Sequence, residues 1–249
     1  MRIHFDQEAW KEQAVSLLFP RRCPVCGEIV VPRGELICPD CKNELSFVSG
    51  SLCLKCGKEL LSEDGEYCQD CMRRRRTFDR GAALLNYNEV SARSIAQIKY
   101  KNKREYLDFY SQEMVRRLGK RMYRMQADAL IPVPVHPDRK RTRGYNQAEE
   151  LANRIGKRTG IPVCSHVLVR SKKTAPQKEL TPEQRLKNLE QAFSVKEETL
   201  REFWPKLDSV ILVDDIYTTG STIEACARVL KRAGIRKVSF ISICIGGDR

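Results

Sequence analysis

The spacing of apolar positions changes regularly along this chain, and each spacing predicts one kind of element. Segments rich in apolar residues predict strands, and the uninterrupted run at residues 210–213 suits a strand that is buried on both faces of a parallel sheet. The predicted strand segments lie at residues 78–87, 129–135, 163–169, 210–213 and 238–245. Apolar residues at intervals of three and four predict amphipathic helices. These lie at residues 91–100, 106–122, 148–155 and 223–230. Strands that alternate with helices predict an α/β domain with a parallel sheet.

Length and charge set the broad class of the protein. The 249 residues are enough for an α/β domain and a smaller module. A net charge of +13 and a pI near 9.3 favour polyanionic partners such as nucleic acid or pyrophosphate. No apolar run approaches a membrane span. Residues 1–20 predict a short docking helix and lack the apolar core of a secretory signal. We expect a cytoplasmic protein without membrane insertion.

The amino-terminal third contains a regular array of cysteines. Eight of the eleven cysteines form four C-x-x-C pairs, and each pair starts fifteen residues after the previous one. The pairs are Cys23/Cys26, Cys38/Cys41, Cys53/Cys56 and Cys68/Cys71. Two C-x-x-C turns complete a tetrahedral zinc site, so the array predicts about two structural zinc ions. The thirty-residue repeat suggests two consecutive ribbons, although a crossed pairing of the four turns also satisfies the spacing.

The cysteine array has two other interpretations. Four disulfides between such close cysteines would be strained, and the reducing cytoplasm disfavours them. We therefore favour metal binding. Iron is the other metal that four thiolates suit. The remaining cysteines, Cys164, Cys226 and Cys244, lie in apolar surroundings and are expected to be small buried side chains.

Basic residues form three clusters after the cysteine array. The first marks a predicted boundary between residues 1–76 and 77–249, as a solvated linker or a phosphate-contacting stripe; it consists of Arg73, Arg74, Arg75 and Arg76. The second has Tyr100 and Tyr106 among its cations and suits single-stranded nucleic acid, although core tyrosines beside surface lysines would look the same. It consists of Lys99, Lys101, Lys103 and Arg104.

The third basic cluster follows the strand at residues 129–135. Strand, basic turn and helix form a phosphate-binding geometry. The residues of this turn are Arg139, Lys140, Arg141, Arg143 and Gly144. His136, at the end of the strand, is expected to be structural and not a catalytic base. Residues 170–188 are polar and basic, which predicts either a lid or a disordered insertion. The lid would present Lys172, Lys173, Lys178 and Arg185.

Two carboxylates, Asp214 and Asp215, follow the apolar run at residues 210–213 and are expected at the strand end. Next comes a loop of small residues whose amides and hydroxyls suit a phosphate. It consists of Thr218, Thr219, Gly220, Ser221 and Thr222. Ser221 and Glu224 predict a capping box for the following helix. The carboxylates suit vicinal hydroxyls or a divalent cation, and they are the candidate catalytic residues.

Residues 210–222, V-I-L-V-D-D-I-Y-T-T-G-S-T, resemble the phosphoribosyl-diphosphate (PRPP) motif of type I phosphoribosyltransferases. Only Tyr217 departs from it, because the motif prefers an aliphatic residue there. The resemblance implies that Asp214 and Asp215 hold the ribose hydroxyls, that the loop holds the 5′-phosphate, and that Mg²⁺ accompanies PRPP. It also implies that the basic turn at residues 139–144 and the predicted lid contact pyrophosphate.

The order of motifs as a whole resembles the ComF (ComFC) family of late-competence proteins. The resemblance covers nearly all of the chain from Phe19. It rests on the two C-x-x-C ribbons, P-V-P-V-H with R-G-Y-N-Q-A, residues 174–193, and D-D-I-Y-T-T-G-S-T. The family implies a type I phosphoribosyltransferase-like fold behind a small zinc-ribbon module with four cysteines at each metal site. It also implies handling of transforming single-stranded DNA, beside a competence helicase and recombination mediators.

Two functions follow from these resemblances. The first is a competence protein that binds PRPP or a ribose phosphate and handles single-stranded DNA. The second is an active, amidophosphoribosyltransferase-like enzyme that transfers ribose 5-phosphate to a base or amine. Transferases that read a base carry a hood over the acceptor, and nothing of that size follows the last predicted strand. We therefore expect the first function.

Overall fold

The computed structural model describes residues 19–62, 64–170, 187–203 and 207–247. The strands in chain order are β1 (Gly81–Asn86), β2 (Ala129–Pro132), β3 (Leu168–Arg170), β4 (Phe193–Val195), β5 (Ser209–Tyr217) and β6 (Lys237–Ile245). Four of them form a parallel sheet in the order β1, β6, β5, β2. The two central strands, β5 and β6, are the longest and the most apolar, because both of their faces are covered.

Helices cover both faces of this sheet, and the longest of them match the apolar spacing. In chain order they are α1 (Pro39–Asn43), α2 (Gln69–Arg73), α3 (Glu89–Lys101), α4 (Tyr106–Met125), α5 (Pro137–Arg143), α6 (Gln147–Thr159), α7 (Glu197–Phe203) and α8 (Ser221–Arg232). A capping box between Asn88 and Ser91 starts α3, and left-handed Asn102 ends it. The predicted parallel sheet flanked by helices, behind a cysteine-rich module, is confirmed.

Two apolar clusters, one on each side of the sheet, form the core. The first cluster contains α3, α4 and α6 side chains together with Cys23 and Cys41. The second contains α8 side chains together with Cys53, Cys56 and Cys68. Each cluster therefore joins one part of the cysteine array to one face of the sheet. The boundary at residue 76 stays a prediction, and side chains from both of its sides share each cluster.

The segment predicted as a strand at residues 163–169 is not one strand. Val163 makes a single bridge beside Leu130, and β3 then pairs antiparallel with β4 in a separate two-stranded sheet. The polar residues Ser165 and His166 lie in a turn between these two pairings. These two polar residues interrupt the apolar segment, so it does not form one strand of the parallel sheet, whose buried strands are continuously apolar.

The predicted amino-terminal helix and lid residues Lys172, Lys173, Lys178 and Arg185 lie outside the described residues. Within the described ranges, no helix has the length and apolar character needed to cross a bilayer.

Candidate functional site

The acidic pair lies inside β5 and not at its end, so that sequence expectation was wrong. The strand runs four residues beyond Val213, because its pairing with β6 continues to Tyr217 opposite Ile245. Asp214 is paired with Ser242 of β6. The carboxylates nevertheless lie near the carboxyl edge of the sheet, which is where ligands bind in parallel α/β folds.

The two carboxylates face opposite sides of the sheet, since successive side chains of a strand alternate. Asp215 is only 6% exposed and faces α3. Its Oδ2 lies 2.9 Å from Lys99 Nζ, and this lysine side chain is 19% exposed. Asp214 faces α8, where its charge contributes to raising the pKa of the buried Cys226 thiol, although burial is the larger cause. A lysine of α3 therefore balances one carboxylate of the pair.

The charge on Asp214 is poorly compensated. Burial, followed by repulsion from Asp215, raises the pKa of the Asp214 carboxyl to about 8, and a hydrogen bond from the Asp215 amide opposes the shift. Ionisation of both carboxylates together is therefore unfavourable without a partner of opposite charge. Hydroxyl donors or a divalent cation would favour the doubly ionised pair, because hard cations prefer carboxylate oxygens.

The loop after β5 leads directly into α8. Gly220 has a φ of +74° and is the N-cap of the helix. A Cβ on it would lie 2.4 Å from the Tyr217 hydroxyl oxygen, so the ring and the loop backbone are in close contact. The Tyr217 ring stacks on Phe240 at 4.6 Å. The first amides of α8 have no acceptor within the helix, so they can bind a phosphate as the motif predicts.

The capping box predicted between Ser221 and Glu224 is not formed. Ser221 is the first residue of α8, and its hydroxyl lies 3.0 Å from that of Thr219. The buried Glu224 carboxylate instead accepts hydrogen bonds from the Thr77 amide and hydroxyl at 2.8 and 2.6 Å. The N-cap is Gly220, which has no side chain to bond, and Glu224 is held by Thr77 from a distant part of the chain and by Arg228 Nε at 2.9 Å.

Arg76 lies at the same loop. Its Nη2 donates a hydrogen bond of 2.9 Å to the Thr219 carbonyl, and the residue is only 9% exposed. The other three arginines of the first basic cluster, Arg73, Arg74 and Arg75, are exposed. The sequence placed all four in one stripe, whereas the structure separates the last arginine from the others.

The third basic cluster forms the short helix α5, where the sequence predicted a turn. His136 begins it by accepting a hydrogen bond from the Asp138 amide, which is a structural role, and Gly144 ends it with a φ of +80°. Arg139 and Arg143 line a cleft of about 370 Å³ together with Lys99. Lys140 and Arg141 line a different cleft, and Lys140 lies 3.5 Å from Glu149. Only part of the predicted phosphate-binding set therefore lies near the acidic pair.

The second basic cluster is also divided. Lys99 pairs with Asp215, and Arg104 stacks on the Tyr145 ring at 4.1 Å and lies 3.8 Å from Glu150. Lys101 is exposed, and Lys103 lies 3.6 Å from Glu105. Tyr106 is a core residue, whereas Tyr100 is 71% exposed beside Arg143. The mixture of rings and cations thus contains one solvent-facing ring.

The cysteines form two groups of four with the consecutive pairing that the repeat suggested. One group is Cys23, Cys26, Cys38 and Cys41, and the other is Cys53, Cys56, Cys68 and Cys71. Within each group the sulfur atoms lie within 4.8 Å of one another, and none is in a disulfide. Four converging thiols are the donor set of a closed structural zinc site. The crossed pairing and the disulfides are therefore wrong.

The three remaining cysteines are buried, as expected. Burial raises the pKa of the Cys164 thiol to about 11 and that of Cys244 to about 12. Thiols with such pKa values are not nucleophiles at neutral pH. They serve as small apolar side chains.

Sequence reasoning assigned Lys99 and Arg76 to DNA, and the structure adds both to the site around β5. The sequence did contain a signal that Lys99 is partly buried. Lys99 follows Ile95 by four residues, which places both on the same face of α3, and Ile95 and the adjacent Ile98 are buried. No local pattern distinguishes Arg76 from the arginines before it. Its contact with Thr219 joins residues 143 positions apart.

The raised pKa of Asp214 predicts a pH dependence of stability without added Mg²⁺. The folded state holds this proton more tightly than the unfolded state, so the stabilisation is complete below about pH 4 and is lost as pH rises through 8. We expect the free energy of unfolding to fall by at least about 1.4 kcal/mol from pH 5.5 to 8.5, the equivalent of one pK unit. Urea unfolding of wild type and Asp214→Asn checks this, since the neutral amide abolishes the slope. An equal slope in both proteins would contradict the assignment.

Two known domains match separate parts of the chain. The double zinc ribbon domain matches residues 14–72. The phosphoribosyl transferase domain matches residues 141–249, which include the acidic pair and its loop.

Several curated proteins are similar over most of the chain. Competence protein F of Haemophilus influenzae is 29% identical over 68% of this chain and 74% of its own length. Competence protein ComFC of Bacillus subtilis is 26% identical over 80% of both chains. DNA utilization protein YhgH of Salmonella typhimurium is 25% identical over 89% of both.

Proposed function

We propose that this chain is a competence protein that binds a ribose phosphate and handles single-stranded DNA, because its double zinc ribbon, its phosphoribosyltransferase domain and its relatives match the ComF family. The observation that carries the ribose phosphate is the continuous segment from Asp214 to α8, which offers carboxylates and free helix amides side by side. The proposed location is the cytoplasm, with a competence helicase and recombination mediators as partners.

The proposed ligand is PRPP or ribose 5-phosphate. Its 5′-phosphate would lie on the loop formed by Thr218, Thr219, Gly220, Ser221 and Thr222, where amides and hydroxyls supply donors. Its ribose hydroxyls would donate to Asp214 and Asp215. Arg139 and Arg143, which share a cleft with Lys99, would face the pyrophosphate of PRPP.

Mg²⁺ would accompany PRPP at this site. The residues suit the ion, because burial and repulsion from Asp215 raise the pKa of Asp214, and a nearby cation would favour its ionised form. The ion would be held by Asp214 and Asp215 and would supply positive charge to the pyrophosphate of PRPP. Lys99 Nζ lies 2.9 Å from Asp215 Oδ2, and this contact would orient the carboxylate for the hydroxyls.

Single-stranded DNA is the proposed macromolecular ligand. Exposed cations at Arg73, Arg74, Arg75 and Lys101, with the exposed ring of Tyr100, offer phosphate contacts and a stacking surface. Two of the relatives carry names of competence proteins, and a third is named a DNA utilization protein. The net charge of +13 supports the same polyanionic partner.

We expect single-stranded DNA to bind more tightly than duplex, with a salt dependence set by phosphate contacts. For Z neutralised phosphates, log K should fall with log salt with a slope of about −0.7Z. Replacing Arg73, Arg74 and Arg75 with alanine should make this slope shallower by about 2, that is, by about 0.7 for each lost contact. Fluorescence anisotropy of a labelled oligonucleotide at several salt concentrations measures it.

A matched control for this experiment removes the same charge elsewhere. The triple alanine variant of Lys120, Lys157 and Arg158, which are exposed on α4 and α6, should leave the slope unchanged. Equal flattening in both variants would show that only net charge matters. Binding that ignores salt, or that is as tight to duplex, would contradict the DNA proposal.

An active transferase is the second candidate, and the intact acidic pair favours it. In this reaction the bond between C1′ of PRPP and its pyrophosphate breaks, and a base or amine nitrogen forms the new bond. Asp214 and Asp215 would position the oxocarbenium-like ribose, and basic residues would stabilise the departing pyrophosphate. Pyrophosphate release from PRPP in the presence of a panel of bases and amines tests it. Release above the rate of the Asp215→Asn variant would favour the enzyme.

A further inference from the structure

The end of the second cysteine group is joined to the proposed phosphate loop by a short segment. Cys71 lies in α2, and Arg76 and Thr77 follow within six residues. Arg76 Nη2 holds the Thr219 carbonyl at 2.9 Å, and Thr77 donates two hydrogen bonds to Glu224 in the first turn of α8. Consecutive residues therefore hold the loop on one side and the helix after it on the other.

The charge of Arg76 is unusual for a buried side chain. Buried guanidinium groups are normally paired with carboxylates, because an unpaired buried charge is costly. Among the residues described, no carboxylate forms a direct ion pair with Arg76, although its charge helps to lower the pKa of the Asp70 carboxyl, and its buried Nε has no hydrogen-bond partner there. Its Nη2 contacts only the neutral Thr219 carbonyl at the loop. An anion on the loop would give this guanidinium a direct ionic partner.

Apolar and aromatic contacts also connect the second cysteine group to Tyr217, beside the proposed phosphate loop. Phe78 follows Thr77, and its ring meets those of Tyr217 and Phe240 edge to face at 6.2 and 5.1 Å. Lys55, within the Cys53/Cys56 turn, lies 5.7 Å from the centre of the Phe78 ring. The second group shares an apolar cluster with Tyr217. The first group packs in the other cluster, which contains neither Tyr217 nor a residue of α8.

We propose that Arg76 is part of the phosphate site and that the second zinc ribbon positions it, so that metal in this ribbon controls the affinity for ribose phosphate. This proposal rests on the proposed function. Zinc on Cys53, Cys56, Cys68 and Cys71 would fix α2 and thereby the direction in which the chain enters the loop. Zinc in the first ribbon would have no such effect. Arg76 acts as a positioning residue that also supplies charge to the phosphate.

One variant of Arg76 that removes the charge and one that keeps it test whether this residue belongs to the phosphate site. We expect Arg76→Gln to weaken binding of ribose 5-phosphate with Mg²⁺ at least about tenfold in calorimetry, because the charge is lost. Arg76→Lys should stay within about threefold of wild type. Hydrogen exchange of the free protein should show faster exchange of the 224–226 amides, which are hydrogen-bonded at the start of α8, in Arg76→Gln and less so in Arg76→Lys. An affinity and an exchange rate unchanged in Arg76→Gln would overturn the proposal.

A matched pair of cysteine variants tests the ribbon. Cys38 and Cys68 occupy equivalent positions as N-cap residues of α1 and α2, one in each group. Cys68→Ser should speed exchange of the 224–226 amides and weaken binding as Arg76→Gln does, whereas Cys38→Ser, which loosens the other face of the sheet, should have a much smaller effect on both. Equal effects of the two variants would refute control by the second ribbon. If wild type binds no ribose phosphate, the proposed function fails, and hydrogen exchange alone still decides whether the ribbon and the loop are coupled.

Discussion

Asp215→Asn is expected to weaken binding of PRPP with Mg²⁺ by at least about 100-fold. Asp215 is the buried carboxylate of the proposed ribose site, and a hydrogen bond to a charged group contributes ~1.5–3 kcal/mol. The amide keeps the shape of the side chain and removes its charge. Titration calorimetry of PRPP into both proteins, with Mg²⁺ present, measures the change.

Two controls make this result specific. Asp208→Asn removes the same charge immediately before β5, at the opposite edge of the sheet, where Asp208 Oδ2 accepts a hydrogen bond from Arg236 Nη2 at 2.6 Å. Its affinity for PRPP should equal that of wild type. Asp215→Asn also leaves Lys99 without its carboxylate, so the double variant with Lys99→Met should regain stability but not binding. Unchanged affinity in Asp215→Asn would contradict the ribose site.

The second large effect concerns metal. We expect about two zinc ions per chain, and Cys38→Ser and Cys68→Ser should each remove about one. Zinc contributes ~10–16 kcal/mol in zinc-finger peptides, which matches or exceeds the ~5–15 kcal/mol that stabilise a whole domain. Loss of one ion should therefore unfold its own ribbon. Elemental analysis gives the zinc content, and hydrogen exchange locates the unfolded segment.

The two ribbons should respond differently when their metal is removed. Cys53, Cys56 and Cys68 pack in the cluster that contains α8, so Cys68→Ser should also loosen that face of the sheet. Cys23 and Cys41 pack with α3 and α4, so Cys38→Ser should loosen the other face. Loss of both ions from either single variant would contradict two independent sites. A metal content other than zinc would change the ion but leave the pairing of the cysteines intact.

Much of the fold was predictable because its signals are local. The 3.6-residue spacing of apolar side chains placed α3, α4, α6 and α8, and continuous apolar runs placed the strands of the parallel sheet. The fifteen-residue spacing of the C-x-x-C pairs predicted two four-cysteine sites. The capping box at Ser221 failed for the opposite reason, because Thr77 competes for Glu224 from a distant part of the chain.

The residue types alone established which chemistry this protein offers: eight thiols for metal, two adjacent carboxylates, and a nearby loop of hydroxyls and glycine. Such groups can be read from the sequence because neighbouring residues supply them together. Tertiary structure alone determined which charges meet. Folding places Lys99 Nζ 2.9 Å from Asp215 Oδ2. It also separates Arg76 from the neighbouring exposed arginines and brings it to the Thr219 carbonyl. These contacts depend on how β5 packs against α3 and the second ribbon, and no local pattern encodes that packing.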